Sequence, residues 1–214
     1  LCNLLQLTAA AHSEVGGISF TDMQEFHQAW VLSRMRVEIT EMPKWRDTVT
    51  VKTWINSLEN SRSVRALEMY VNGRKIVGSE TFWAVFNTEK RRPEPLALPY
   101  EHFELYPDNK ATEETFSKIN ITHEKEMVFE RTVFLSDLDI VNHANNVKYL
   151  EWCLDLVDEK LILKQQIKSF EMNFLKELSL KDKVIIHENI NDDSTIFSIT
   201  KGNKTSFALQ LNWK

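Results

Sequence analysis

Glycine and proline are scarce, at five residues each in 214, which excludes a low-complexity or linker-rich chain. Long apolar runs are missing: none approaches the roughly 20 residues that a bilayer-crossing helix needs. No segment has the pattern of a signal peptide. Basic charge is not in excess either. A formal net charge of -5 argues against a nucleic-acid partner, whose contact surface would be basic, although Lys90-Arg91-Arg92 forms a local basic run. Cysteine occurs only twice, as Cys2 and Cys153, far apart and without a CxxC context. Two structural thiols in a reducing cytoplasm are the expectation. No His/Cys cluster has ligand spacing, so no metal or other cofactor is expected.

The remaining composition is that of an ordinary folded chain, and the length admits one large domain or two of roughly 100 residues. Leu1, Leu4, Thr8, Ala11 and Val15 recur at steps of three and four, which predicts a helix over 1–15 with that face buried. Because Leu1 already stands inside the helical pattern, the chain reads as a trimmed product. A loop with a short helical turn is expected over 16–29. The period then changes to two: Val31, Ser33, Met35, Val37 and Ile39 mark one strand, and Val49, Val51, Thr53 and Ile55 a second. Arg65, Leu67, Met69 and Val71 lead into Asn72-Gly73, a hairpin turn signal, and Ile76–Phe86 is the return strand.

Residues 89–125 interrupt this order with Pro93, Pro95, Pro99 and Pro107 among many charges, and read as a connection with short helices in places. Within it, 106–125 is assigned as the linker between an N-terminal domain, 1–105, and a C-terminal domain, 126–214. The second half repeats the outline of the first. A strand over Met127–Phe134 precedes a helix marked by Val147, Leu150, Leu154, Val157 and Leu161. Strands follow at Ile167–Lys176, Val184–Ile190, Thr195–Thr200 and Ser206–Trp213. One helix beside a long antiparallel sheet, twice over, is an α+β architecture. It fits a tandem, or double, hot-dog fold.

The densest chemistry lies in Asp137-Leu138-Asp139-Ile140-Val141-Asn142-His143-Ala144-Asn145-Asn146, directly before the second predicted helix. Groups able to move protons therefore stand beside a helix N-terminus, whose free N–H groups favour developing negative charge. Acyl transfer or hydrolysis needs both. Asn145 or Asn146 is also a natural helix N-cap, and Asn142 a natural turn residue.

This run resembles the signature of the acyl-acyl carrier protein thioesterases, through Asp137-Leu138-Asp139, His143 and Asn145-Asn146-Val147-Lys148-Tyr149. The first half resembles the same family through Trp30-Val31-Leu32-Ser33-Arg34-Met35, Pro43-Lys44-Trp45-Arg46-Asp47 and Val51-Lys52-Thr53-Trp54. The resemblance implies hydrolysis of the thioester between a fatty acyl chain and its carrier protein. It also implies a first domain that shapes the acyl pocket and a second that carries the catalytic groups. By position it implies Asp139, His143 and Glu177 as catalytic, with Asn142 and Asn145 as supporting amides. Glu177 would act as base towards water, or Asp139 would. Asp139 would otherwise fix the tautomer and orientation of the His143 ring, and N–H groups near Asn145 to Val147 would hold the oxyanion.

Two departures stand out. The family commonly places Asn two residues before the His, where this chain has Val141. Plant members have Cys after the Glu, where this chain has Leu178, which favours attack by water. The implied partners are acyl carrier protein and a fatty acyl chain, with a homodimer left open and a bacterial cytoplasmic setting expected. Trp30, Trp54 and Trp83 are candidates for the acyl pocket, His12 for a packing histidine, and Lys90-Arg91-Arg92 for a carrier-docking patch. Two other readings remain open on the sequence. One is a hot-dog thioesterase or hydratase acting on acyl-coenzyme A, and the other is an inactive acyl-carrier binding module.

Overall fold

The computed structural model describes residues 1–121, 126–164 and 166–214. It divides into two compact units, Leu1–Phe116 and Ser117–Lys214.

The first unit opens with α1 (Cys2–Val15) and the short α2 (Phe20–Gln24). Ser19 caps α2 in a reciprocal capping box with Asp22. Four long strands follow: β1 (Gln28–Ile39), β2 (Val49–Glu59), β3 (Arg62–Val71) and β4 (Arg74–Asn87), with the two-residue β5 (Arg92–Pro93) pairing β4. They lie in the antiparallel order β2-β3-β4-β1. Asn72 and Gly73 join β3 to β4 with φ of 49° and 77°. Those positive values are the ones a tight two-residue hairpin demands.

α1 packs against β2, but not by the expected face. Cys2, Leu5 and Ala9 are buried, whereas Leu4 is 46% and Val15 90% exposed. Both stripes have helical spacing, and the buried one is Cys2, Leu5 and Ala9. In β1 the simple alternation also fails. A bulge between Leu32 and Arg34 leaves Ser33 unpaired, so Leu32 is buried before it and Met35, Val37 and Ile39 after it.

The proline-rich segment after β5 is not a loose connection. Residues up to Phe116, several of them expected in the linker, belong to the first unit. No helix forms between β5 and residue 121 among the described residues. Backbone hydrogen bonds tie Leu96 to Asn60 and Tyr106 to Ile55. Asn56 Nδ2 donates to the carbonyls of Tyr106 and Asn109. The Glu38 carboxylate accepts from the backbone N–H groups of Glu113 and Glu114, and Arg36 pairs with Glu114 at 2.6 Å. Gly78 of β4 lies so close under the Ala111 carbonyl that a Cβ would overlap it. Residues 122–125 of the expected linker lie outside the described residues.

The second unit begins with β6 (Glu126–Thr132) and a single 3₁₀ turn, Leu135–Asp137. Next come α3 (Asn146–Leu154) and α4 (Glu159–Leu163), then β7 (Ile167–Phe174), β8 (Lys183–Ile190), β9 (Ser194–Lys201) and β10 (Lys204–Trp213). The strand order is β7-β10-β9-β8-β6, antiparallel throughout. The single helix expected from Val147 to Leu161 is broken in two, because Asp158 leaves helical geometry and caps α4 through its side chain. α3 presents Tyr149, Leu150, Trp152 and Cys153 inward, and Tyr149 meets Trp152, Phe174 and Phe207 at centroid distances of 5.2–5.9 Å. Each unit is thus a helix laid on an antiparallel sheet. No helix among the described residues is long and apolar enough to cross a membrane.

Candidate active site

The loop between the 3₁₀ turn and α3 is built on acids that bind backbone. Asp137 is 2% exposed. Its carboxylate accepts from Phe134 N at 2.8 Å and from Arg131 at 3.1 Å, and its carbonyl accepts from Asn145 N at 2.8 Å. Asp139 Oδ1 accepts from the backbone N–H groups of Val141 at 2.9 Å and His143 at 3.1 Å. The Asp139 N–H in turn donates to the His143 carbonyl at 2.8 Å. Asn142 takes the left-handed position of this turn, with φ 65°, and is exposed. Asn145 is the N-cap of α3, its Oδ1 accepting from Val147 N at 3.0 Å.

The His143 ring faces Glu177, with 3.6 Å between Nε2 and Oε2. That separation is too long for a direct hydrogen bond but lets both groups bind one water. The two side chains are 31% and 33% exposed, so solvent reaches the pair. The acid beside the ring is therefore Glu177. The resemblance implies that Asp139 orients the imidazole; in the structure its Oδ1 accepts from two backbone N–H groups of its own loop and so holds the His143 main chain.

Glu177 is set by its neighbour. Leu178 is fully buried. Its carbonyl accepts from Ala144 N at 2.8 Å, and its N–H donates to the Tyr149 hydroxyl at 3.1 Å. Burial, with the carboxylates of Glu177 and Asp139 nearby, holds the Tyr149 phenol above its ordinary pKa. Tyr149 stands in the sequence motif, but nothing in its spacing discloses that its hydroxyl reaches the peptide after Glu177.

The N–H groups at the start of α3 are fewer than expected. Those of Ala144, Asn145, Val147 and Lys148 each donate within the protein. Asn146 N–H is the member of this stretch without a partner among the described residues.

Other candidates have plainer places. His12 packs edge-on against Phe103 and its Nδ1 accepts from Arg65 at 2.6 Å. Trp30 packs on the Ile18, Met23 and Ile55 cluster. Trp54 lines a cleft of about 540 Å³ in the first unit that also holds His12, Thr53, Phe103, Tyr106 and Asn109, a mixed rather than apolar lining. Trp83 Nε1 donates to Thr81. Lys90, Arg91 and Arg92 are exposed. Cys2 and Cys153 are free and buried; burial pushes the Cys2 thiol up to about 11 and raises that of Cys153 well above the ordinary range.

The two units are the halves of a tandem hot-dog protein. Residues 1–103 match the acyl-ACP thioesterase N-terminal domain and residues 123–213 the acyl-ACP thioesterase C-terminal domain. The chain belongs to the acyl-ACP thioesterase family. It is 27% identical to oleoyl-acyl carrier protein thioesterase 2, chloroplastic, of Arabidopsis thaliana, over 96% of this chain and 62% of that protein. It is 28% identical to palmitoyl-acyl carrier protein thioesterase, chloroplastic, of the same plant, over 86% and 48%. The chain thus spans about half to three-fifths of the length of these relatives. Among solved structures, an acyl-ACP thioesterase from Bacteroides thetaiotaomicron superposes with a TM-score of 0.91 at 25% identity, covering 99% of this chain and 87% of that one. A 12:0-ACP thioesterase from Umbellularia californica shares the fold, with a TM-score of 0.81 at 21% identity over 100% and 88%.

Proposed function

We propose that the protein hydrolyses the thioester of fatty acyl-acyl carrier protein, releasing free fatty acid and carrier-protein thiol. The observation that carries this reading is the His143–Glu177 pair at 3.6 Å, in a chain whose two halves both match the acyl-ACP thioesterase family.

In this reading Glu177 takes a proton from a water shared with His143, and the water oxygen attacks the thioester carbon. General base catalysis of this kind is worth about 10²–10⁴ in rate. The carbonyl oxygen becomes an oxyanion, met by the Asn146 N–H at the start of α3. Collapse of the intermediate breaks the C–S bond, and the thiolate takes up the proton. Glu177 is assigned as the base rather than Asp139 because its carboxylate faces the His143 ring, whereas Asp139 Oδ1 is committed to the Val141 and His143 backbone. Leu178 stands where plant members carry Cys and offers no nucleophile. The second unit carries the chemistry and the first shapes the acyl pocket, whose depth selects chain length at about 0.8 kcal/mol per buried methylene.

The partner is acyl carrier protein, an acidic molecule suited to the exposed Lys90-Arg91-Arg92. The compartment is a reducing one such as the cytoplasm, in keeping with two free thiols. Parallel assays of thiol release from saturated acyl thioesters and of water addition to enoyl thioesters test the reading. Thiol release with no hydration supports it, and hydration without thiol release replaces it with a hydratase.

A further inference from the structure

The hydrogen bond from Leu178 N to Tyr149 lies one residue from Glu177 and runs between two different elements of the second unit. Leu178 follows the end of β7, while Tyr149 sits in the first turns of α3, six residues after His143. Leu178, the residue after Glu177, is therefore held from three sides. Its N–H is taken by the Tyr149 hydroxyl at 3.1 Å, the Leu178 carbonyl is taken by Ala144 N at 2.8 Å, and the Leu178 side chain is fully buried. The Ala144 contact ties the strand end to the His143 loop, and the Tyr149 contact ties it to the helix. Together they fix where the Glu177 backbone stands relative to the His143 ring.

The phenol is suited to this. Tyr149 is 3% exposed and its ring is wedged among Trp152, Phe174 and Phe207, so the hydroxyl has little freedom. Burial keeps it protonated, so it meets the amide as a neutral acceptor and adds no charge beside Glu177.

We propose that Tyr149 is a positioning residue for the proposed thioester hydrolysis: its hydroxyl holds the Leu178 amide and thereby sets the Glu177 carboxylate against His143. This rests on the reading of Glu177 as the group that activates water. A displacement near 1 Å at a reacting group can cost on the order of 100-fold in rate, so losing the tether acts on kcat rather than on substrate binding.

The test is a double-mutant cycle of Tyr149→Phe and Glu177→Gln, read as kcat and KM for thiol release. Assays run at a temperature where circular dichroism shows all variants folded; Phe keeps the ring and its packing. Tyr149→Phe is expected to lower kcat by roughly 10- to 100-fold with KM within about twofold, and to cause no further loss in the Glu177→Gln background. The same loss in both backgrounds overturns the proposal, because Tyr149 would then act independently of Glu177. Wild-type kcat in Tyr149→Phe, with Glu177→Gln inactive, overturns the positioning role and leaves the hydrolase reading standing. Wild-type kcat in Glu177→Gln removes Glu177 from the mechanism, and the proposal falls with it.

Discussion

His143 Nε2 stands 3.6 Å from Glu177 Oε2, and each side chain is about one-third exposed. A histidine and a glutamate this close and this open to solvent form a pair that can bind and polarise one water. Neither contributes to the core, so removing either one leaves the fold intact. His143→Ala and Glu177→Ala are each expected to lower thioester turnover by about 100-fold or more. Their stability should stay within about 0.5 kcal/mol of wild type, as for other partly exposed positions. Thiol-release kinetics and thermal melts check this. Near wild-type turnover in a variant removes that residue from the mechanism.

Asp139 is a loop-building acid, and its variants separate that role from general base catalysis. Asp139→Ala loses the acceptor for Val141 N and His143 N. We expect a loss of about 1–2 kcal/mol in stability, with reduced turnover. Asp139→Asn keeps the side-chain oxygen that accepts these bonds, and is expected to recover most of the activity. Equal loss in Asn and Ala variants would instead make the Asp139 charge essential.

Leu178→Cys is expected to bring no large gain in rate. Leu178 is fully buried, so a thiol there would be desolvated and held in its unreactive protonated form. Titration with an aromatic disulfide reagent should find it unlabelled in the folded protein. Ready labelling with a raised rate would restore a thiol route.

Glu80 gives a pH signature in the first unit. It is 3% exposed, and burial raises its carboxyl above the ordinary glutamate range. The folded protein therefore holds this proton more tightly than the unfolded chain. Its contribution to stability is fully present below the unfolded pKa, about 4.3, and is lost as pH rises through the higher folded value. Glu80→Gln is expected to melt above wild type near neutral pH, with the difference shrinking as pH falls through the raised folded value towards the ordinary glutamate range and constant below it. A difference that does not change with pH would contradict it.

Much of this protein is legible in its sequence, and the exceptions are physical. Strand periodicity, the Asn72-Gly73 turn and the Asp139…His143 run are local signals, and they mark the hairpins and the loop before α3. The bulge at Ser33 is not local: it appears only once β1 is paired with β4. The buried face of α1 was open to error because two apolar stripes share helical spacing, and sheet contact selects Cys2, Leu5 and Ala9. In the site, Asp139 and His143 stand in one motif, yet the acid beside the ring is Glu177, brought in by the end of β7. Periodicity says nothing of hydrogen bonds between elements, so the Tyr149–Leu178 tether and the strap of residues 94–114 on the first unit were invisible to it.

The most direct measurement is thiol release from acyl-acyl carrier protein and from acyl-coenzyme A of the same chain lengths, side by side, with His143→Ala as control. We expect turnover with a higher kcat/KM on the carrier-protein substrate, abolished in the variant. A folded wild-type protein that binds acyl-acyl carrier protein but releases no thiol from any substrate would contradict the hydrolase reading and leave an acyl-carrier binding module in its place.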